Sequence, residues 1–446
     1  MLNRGLAKLD HDAPVFVSAT DKPEVAEKLA KRGNPQVIAN AIWAFARLGP
    51  AQGRVPELCT FINTPYVAEK IVKFGDSQNI SNVLWGMATL RQKTPALCFL
   101  VETPAAVQKI VNQQGSSQAV GNSVWAMATM DHDAPLLCAE IEKHENAGRL
   151  ATEGSAQAVS NTLWAFYKFQ YECPNFIDCI RKNISKILDE GNVQNIANIV
   201  LSISSLGYFE GAICKEVGKH AQRIAEQGNT QEICNTLWGL AISGAAAGDP
   251  NNSSEGALNI LWSEAMRRPL SSFHEEEWRQ LEIARLFASA EGVLLRVEDG
   301  ARRERMTAVS NIIIDGGSGR FEDGVATELE ELGYAGFERQ VSPFNDGEGG
   351  ELFKIDLAWK GAGQGNVALE LDGPSHFLTK PDEGLESVGR RNGRTISKAR
   401  LLRQLGWSVI NFSYSENIAR DAMTTEERKK MWSQLLEPYG IIPELV

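Results

Sequence analysis

The sequence has no run of 18 or more apolar residues, so no membrane-spanning helix is expected. The first 30 residues mix Asp, Glu, Lys and Arg and offer no continuous apolar segment, so no secretory signal is expected either. Seven cysteines occur, at 59, 98, 138, 173, 179, 214 and 234, but none forms a C-x-x-C pair or a Cys/His spacing of the zinc type. Cys59, Cys98 and Cys138 recur in the phrases PELC, PALC and PLLC, which marks one repeated small apolar position. No disulfides and a reducing compartment follow as the expectation. An excess of positive charge is also missing. The net charge of −11 argues against indiscriminate attraction to nucleic acid. That acidity is uneven, however. Residues 1–240 hold 22 basic and 23 acidic residues, against 23 and 33 beyond. The N-terminal part is therefore near neutral and able to present one basic face.

What is present is ordinary globular composition, 43% hydrophobic and 23% charged over 446 residues, which excludes a disordered chain and suggests about three domain-lengths. An internal repeat organises the first half. GNPQVIANAIW, GDSQNISNVLW, GSSQAVGNSVW, GSAQAVSNTLW, GNVQNIANIVL and GNTQEICNTLW align without gaps. Their glutamines, Gln36, Gln78, Gln118, Gln157, Gln194 and Gln231, are spaced 42, 40, 39, 37 and 37 residues apart. An asparagine follows four residues later in every copy, at Asn40, Asn82, Asn122, Asn161, Asn198 and Asn235. A tryptophan follows at the seventh place in all but the fifth copy, where Leu201 replaces it.

Each copy begins with a glycine, at 33, 75, 115, 154, 191 and 228, suited to a left-handed residue closing the preceding helix. The next residue is always Asn, Asp or Ser, the favoured N-caps. Positions +2, +6 and +9 from the glutamine are always apolar, an i, i+4, i+7 stripe that must face a neighbouring helix. Position +8 is always Ala, Gly or Ser, which permits close helix approach. The rest of each repeat supplies a second helix, with a break expected near Pro104. Two-helix units of this length, stacked six times, make an all-α solenoid. The Gln and Asn read as polar ladders between repeats, with RNA contact as the alternative, and the Trp as core. Residues at +1 and +5 vary more and are the candidates for reading bases: Asn79, Val83, Ser123, Thr162, Asn195, Glu232 and Thr236, along with apolar residues at the same places in other copies.

The domain boundaries are expected at 1–245 for the solenoid, 246–300 for a linker and helical cap, and 301–446 for a different domain. GAAAGDPNNSSEGALN has linker composition, and Ser272 with Glu275 forms a capping-box pattern ahead of Trp278, Leu281, Ala284 and Leu286. Beyond residue 300 come a helix (VATELEEL), short alternating runs (FERQVSPF, LFKIDLAW, NVALELDG), a helix (TISKARLLRQLG) and a last strand (WSVINFSY). This predicts a small α/β domain. A hairpin turn symmetric about Gly363 sets Asp356 opposite Glu370, and period-2 alternation puts Asp372 on the same face. Like charges opposed across strands destabilise unless compensated. Mg²⁺ or Mn²⁺ on Asp356, Glu370 and Asp372 is one answer, and a solvated carboxylate edge is the other.

The phrase Q-x-x-x-N-x-x-W, continuing as NTLWAFY or VWAMAT, resembles the octotricopeptide repeat family over residues 30–245. The resemblance implies binding of single-stranded RNA at about one nucleotide per repeat. ALELDGPSHF, followed by T-x-x-K-x-R-x-L-x-x-x-G-W-x-V, resembles the RAP domain over about residues 305–420 and is similar to small endonuclease-like domains of the PD-(D/E)xK superfamily. That resemblance implies a metal-dependent RNA endonuclease, with Asp356, Glu370 and Asp372 as metal ligands and catalytic acids, His376 as acid or base, Lys398 at the phosphate, and Glu328 as the helical acid upstream. Asp372 stands where the superfamily pattern usually has a lysine. A non-catalytic RNA-binding factor acting in transcript stability, processing or translation is the alternative, and a protein-interaction solenoid with unidentified protein partners is a third. The expected compartment is the cytoplasm in a bacterium, where a translocated effector is one variant, or the mitochondrion or plastid in a eukaryote.

Overall fold

The computed structural model describes residues 22–48, 56–112, 115–209, 211–244, 253–310, 319–344, 352–362, 365–381 and 389–443. The centre of the linker and the turn at Gly363 lie outside the described residues. Two compact units result, one of residues 1–202 with 380–386, the other of 203–379 with 387–446.

The first unit is an array of paired helices. After α1 (Pro23–Arg32) come α2 (Pro35–Leu48), α3 (Glu57–Ile62), α4 (Pro65–Phe74), α5 (Ser77–Thr89), α6 (Pro95–Val101), α7 (Pro104–Val111), α8 (Ser117–Thr129), α9 (Pro135–Glu142), α10 (His144–Glu153), α11 (Ala156–Phe169), α12 (Pro174–Glu190) and most of α13 (Val193–Ser205). Helices α2, α5, α8 and α11, which carry the Q-x-x-x-N-x-x-W phrase, pack against one another in sequence. The expected apolar stripe is their shared core: Ile38, Ile42 and Phe45, then Ile80, Leu84 and Met87, and the equivalents in later copies are all buried. The break at Pro104 is present, and Pro65 starts α4 in the same way.

The six predicted N-caps all form. Asn34, Asp76, Ser116, Ser155, Asn192 and Asn229 each accept a hydrogen bond from the backbone N–H three residues on. The glycines beside them act differently from the expectation. Gly33, Gly75, Gly154, Gly191 and Gly228 are extended, with φ between −63° and −80°. Gly33, Gly75 and Gly154 are needed for space: a Cβ on Gly154 would stand 2.2 Å from the Leu150 carbonyl oxygen, and one on Gly75 2.4 Å from that of Ile71. Left-handed residues occur instead at the far end of the phrase, at Arg91, Asp131, Gln170, Gly207 and Gly244.

The second unit continues the helices with α14 (Gly211–Lys219), α15 (Ala221–Gln227), α16 (Thr230–Ile242), α17 (Ser253–Arg267), α18 (Glu275–Ala290) and α19 (Gly300–Ser310). The cap of α18 is His274 with Glu277, not Ser272 with Glu275; Ser272 sits in a short 3-10 turn and bonds the Pro269 carbonyl. Trp278, Leu281, Ala284 and Leu286 are buried as expected. Helix α18 packs on α16, and Gln280 donates to Asn235 at 2.9 Å.

The α/β part of this unit consists of α20 (Arg320–Glu331), β1 (Glu338–Val341), β2 (Ile355–Ala362), β3 (Gly365–Asp372), α21 (Gly393–Gln404), β4 (Trp407–Ser413), α22 (Tyr414–Asp421) and α23 (Thr425–Leu436). The sheet order is β1-β2-β3-β4, with β3 and β4 parallel and the other pairs antiparallel. Alternation divides the side chains. Leu357, Trp359, Leu369 and Leu371 pack with Val325, Leu329 and Trp432 on one face. Ala358 and Ala368 pack with Leu402 of α21 on the other.

Candidate functional site

The carboxylates lie on the face covered by α21. The β2–β3 pairs Leu357↔Leu369, Ala358↔Ala368 and Trp359↔Val367 give the register that sets Asp356 across from Glu370. In β1, Gln340 stands between the pairs Arg339↔Leu357 and Val341↔Ile355, opposite Asp356. Glu370 pairs in turn with Asn411 on β4. One row thus crosses all four strands: Gln340, Asp356, Glu370, Asn411. Gln340 has φ +52°, a left-handed conformation in mid-strand. Such strain is costly for a non-glycine residue and is a frequent mark of a functional site. Its amide spans two acids, donating to Glu322 at 3.1 Å and to Asp356 at 3.4 Å.

Glu370 is 3% exposed. Its Oε2 is ion-paired with Lys398 of α21, while its buried Oε1 has no hydrogen-bond partner. Burial pushes the Glu370 carboxyl up to about 7, despite the ammonium beside it. Burial likewise works against the charge on Lys398, but Glu370 and Asp356 outweigh it and raise the pKa of that ammonium. Burial and the nearby charge of Asp356 raise Glu322. Asp356 itself accepts from the Leu371 N–H at 2.8 Å. Three carboxylates therefore converge on one lysine.

Asp372 is 1% exposed and held differently. It accepts from Arg391 Nε at 2.6 Å and from Asn411 Nδ2 at 3.3 Å, and pairs with His376 Nδ1 at 2.9 Å. Burial opposes ionisation, but the bonds from His376 and Arg391 prevail and hold its pKa below the usual carboxylate range. Gly373 and Pro374 carry the chain into the short turn that brings His376 back to it.

Of the residues singled out in the sequence, the structure brings together Asp356, Glu370 and Lys398, with Asp372 and His376 beside them. Glu328 lies elsewhere. It accepts from Trp432 Nε1 at 3.1 Å and pairs with Arg420 and Arg428. The helical acid near the hairpin is Glu322, six residues earlier and on another side of α20. Glu322 and Gln340 are the residues that sequence reasoning missed. No spacing pattern announced them, because Gln340 meets Asp356 only through the β1–β2 pairing and Glu322 only through the packing of α20 beside it. Among the described residues no group of three or more His, Cys, Asp or Glu is arranged as a metal cage. With Asp372 engaged by Arg391 and His376, Asp356 and Glu370 are the acids that could hold a divalent cation. Two carboxylates still suit Mg²⁺, which keeps waters and takes substrate phosphates as its other ligands. The unpartnered Glu370 Oε1 fits the same role.

The arginines of α21 and its approach seat this site within the second unit. Arg390 donates to the Gly207 carbonyl at 2.8 Å and lies 4.2 Å over the Tyr208 ring. Arg400 donates to the Ala241 carbonyl and pairs with Glu291. Gly393 approaches so closely that a Cβ there would stand 1.8 Å from the Ser204 carbonyl oxygen.

Five of the seven sequence candidates for base reading are buried. Val83, Ser123, Thr162 and Thr236 are 0% exposed, because the +5 position faces the adjoining helix. Asn195 is buried and donates to Ser160 at 3.0 Å. Glu232 is used in the capping box of α16, and Asn79 is half-buried behind its Asp76 cap. The repeat tryptophans Trp43, Trp85, Trp125, Trp164 and Trp238, expected in the core, are only half-buried. None of the seven cysteines is disulfide-bonded, and all are buried. No helix among the described residues is long and apolar enough to cross a membrane.

Fold and site together define an array of paired helices joined to a small mixed α/β domain with a buried carboxylate cluster. Residues 369–430 match the family model of the RAP domain. The match contains Glu370, Asp372, His376 and Lys398, while Asp356, Gln340 and Glu322 precede it. Among curated proteins none matches this chain.

Proposed function

We propose that this chain binds single-stranded RNA through octotricopeptide-like repeats and hydrolyses it at the carboxylate cluster of its RAP region. The observation that carries this reading is the buried, unpartnered Oε1 of Glu370 beside Asp356, with Lys398 ion-paired to Glu370 and Glu322 close by. Asp356 and Glu370 would hold Mg²⁺ or Mn²⁺, which supplies an activated water and charge neutralisation at the phosphate. Lys398 offsets the remaining carboxylate charge and faces the developing negative charge. Asp372, kept ionised, accepts from His376 Nδ1, which leaves Nε2 as the atom that moves a proton. Gln340 fixes Glu322 and Asp356 relative to each other.

The test is purified full-length chain with a labelled pool of single-stranded RNA, in Mg²⁺ or Mn²⁺ against EDTA. Metal-dependent fragments that fall at least a hundredfold in Asp356→Ala and Glu370→Ala support the proposal. Binding without cleavage, unchanged in both variants, overturns it. The result would then favour a non-catalytic RNA-binding factor, a reading supported by the Glu370–Lys398 and Asp372–Arg391 ion pairs, which already neutralise two of the acids.

A further inference from the structure

Four helices of the first unit carry the same half-exposed row. The row is Gln36, Asn40, Trp43 and Arg47 on α2, Gln78, Asn82, Trp85 and Thr89 on α5, Gln118, Asn122, Trp125 and Thr129 on α8, and Gln157, Asn161, Trp164 and Lys168 on α11. These positions are i, i+4, i+7 and i+11, so they share one helix face. None of them is buried, in contrast to the apolar stripe beside them. None is acidic either, and two are basic, in a chain whose net charge is −11. The cations lie over the rings: Arg47 is 5.6 Å from the Trp43 centroid and Lys168 5.8 Å from that of Trp164. Trp125 and Trp164, from successive repeats, adjoin at 6.4 Å between centroids. The Gln118 amide donates to Asn122, and Ser155 of the next repeat bonds Gln118.

We infer that this row is a stacking track for the bases of single-stranded RNA, and that it is tolerant of sequence. The inference rests on the RNA reading above and deepens it. An aromatic face accepts any base, and cations beside it hold the strand's phosphates. Discrimination between bases needs side chains that differ from repeat to repeat. Within this row Gln, Asn and Trp are constant and only the last place varies, as Arg47, Thr89, Thr129 and Lys168, while the more variable +5 side chains are buried. The four repeats therefore present nearly the same chemistry to each nucleotide. Charge alone adds little, since two cations give a salt dependence of only about 1.4 in log–log slope for a single strand.

The experiment uses full-length chain and fluorescent oligo-U, oligo-A and oligo-C of equal length, without divalent metal. Tryptophan emission is read together with anisotropy. The expected result is quenching on binding, affinities within about tenfold across the three oligomers, and binding weakened roughly tenfold by Trp164→Ala and again by Trp125→Ala. Trp164→Phe should restore most of the affinity, and thermal melts establish that each variant is folded. Unchanged affinity in the folded Trp variants overturns this inference while leaving RNA binding intact, as does a hundredfold preference for one oligomer. Absence of binding to any oligomer at low salt overturns both this inference and the RNA reading, and directs the row to a protein partner.

Discussion

Glu370 shows most clearly how one residue's surroundings set its chemistry. Its strand position was readable from the hairpin, because Ala358, Ala368 and their neighbours alternate with period 2 and fix the register. Its burial was not readable, since that depends on α21 lying over the acids. With the folded carboxyl pushed up to about 7 by burial, the unfolded chain releases the proton first. Stability from this group is full below the ordinary carboxylate range and is lost as pH rises towards and through about 7. Without divalent metal, the melting temperature of the natural chain should therefore fall relative to Glu370→Gln between pH 5 and pH 8. A difference between the two that stays flat over that range would contradict this account of the site. Asp372 follows the opposite logic, because Arg391 and His376 favour its charged form.

The repeat helices were the most legible elements. Caps, apolar stripe, small +8 residue and the Pro104 break all follow from local chemistry, and local chemistry is written in adjacent residues. Two features were not legible because they join residues about 35–40 apart. Lys70, Lys109, Arg149 and Lys186 each reach back to backbone carbonyls at the C-terminal end of a helix in the preceding repeat. In the second unit Arg268 does the same at the Gly228 carbonyl, at 2.7 Å. Conversely, Glu102 accepts from the Leu136 and Leu137 N–H groups, capping α9 of the next repeat. These cross-repeat caps satisfy the orphan groups of helix ends and complement the helix dipole. Lys109→Met keeps the aliphatic stem but strands the carbonyls of Val72 and Gly75. A loss of about 1–3 kcal/mol is expected, read from the urea midpoint. Lys31→Met removes only an exposed pair with Glu27 and should leave that midpoint nearly unmoved. The glycines illustrate the same limit: their positions were legible, but their purpose is room beside a carbonyl and not a left-handed φ.

At the scale of the molecule, Arg390 and Arg391 are adjacent in sequence yet serve opposite sides. Arg390 holds the chain to the turn after α13, while Arg391 holds Asp372. Arg400 and Gly393 add to that seating, so the placement of α21, and with it Lys398, depends on the helices it packs against. Such coupling is invisible in sequence, because the partners are some 160–180 residues apart. In the proposed function the hairpin carboxylates, joined by Glu322 and not by Glu328, form an RNA-cleaving site. The most direct measurement is single-turnover cleavage of labelled single-stranded RNA in Mn²⁺ by the natural chain, Glu322→Ala and Glu328→Ala, each checked for folding by its thermal melt. Glu322→Ala should lose at least tenfold in rate with little change in stability. Glu328→Ala should melt earlier, having stranded Arg420 and Trp432, yet cleave at nearly the natural rate while folded. Loss of cleavage in folded Glu328→Ala with full activity in Glu322→Ala, or no cleavage by the natural chain, would contradict that proposal.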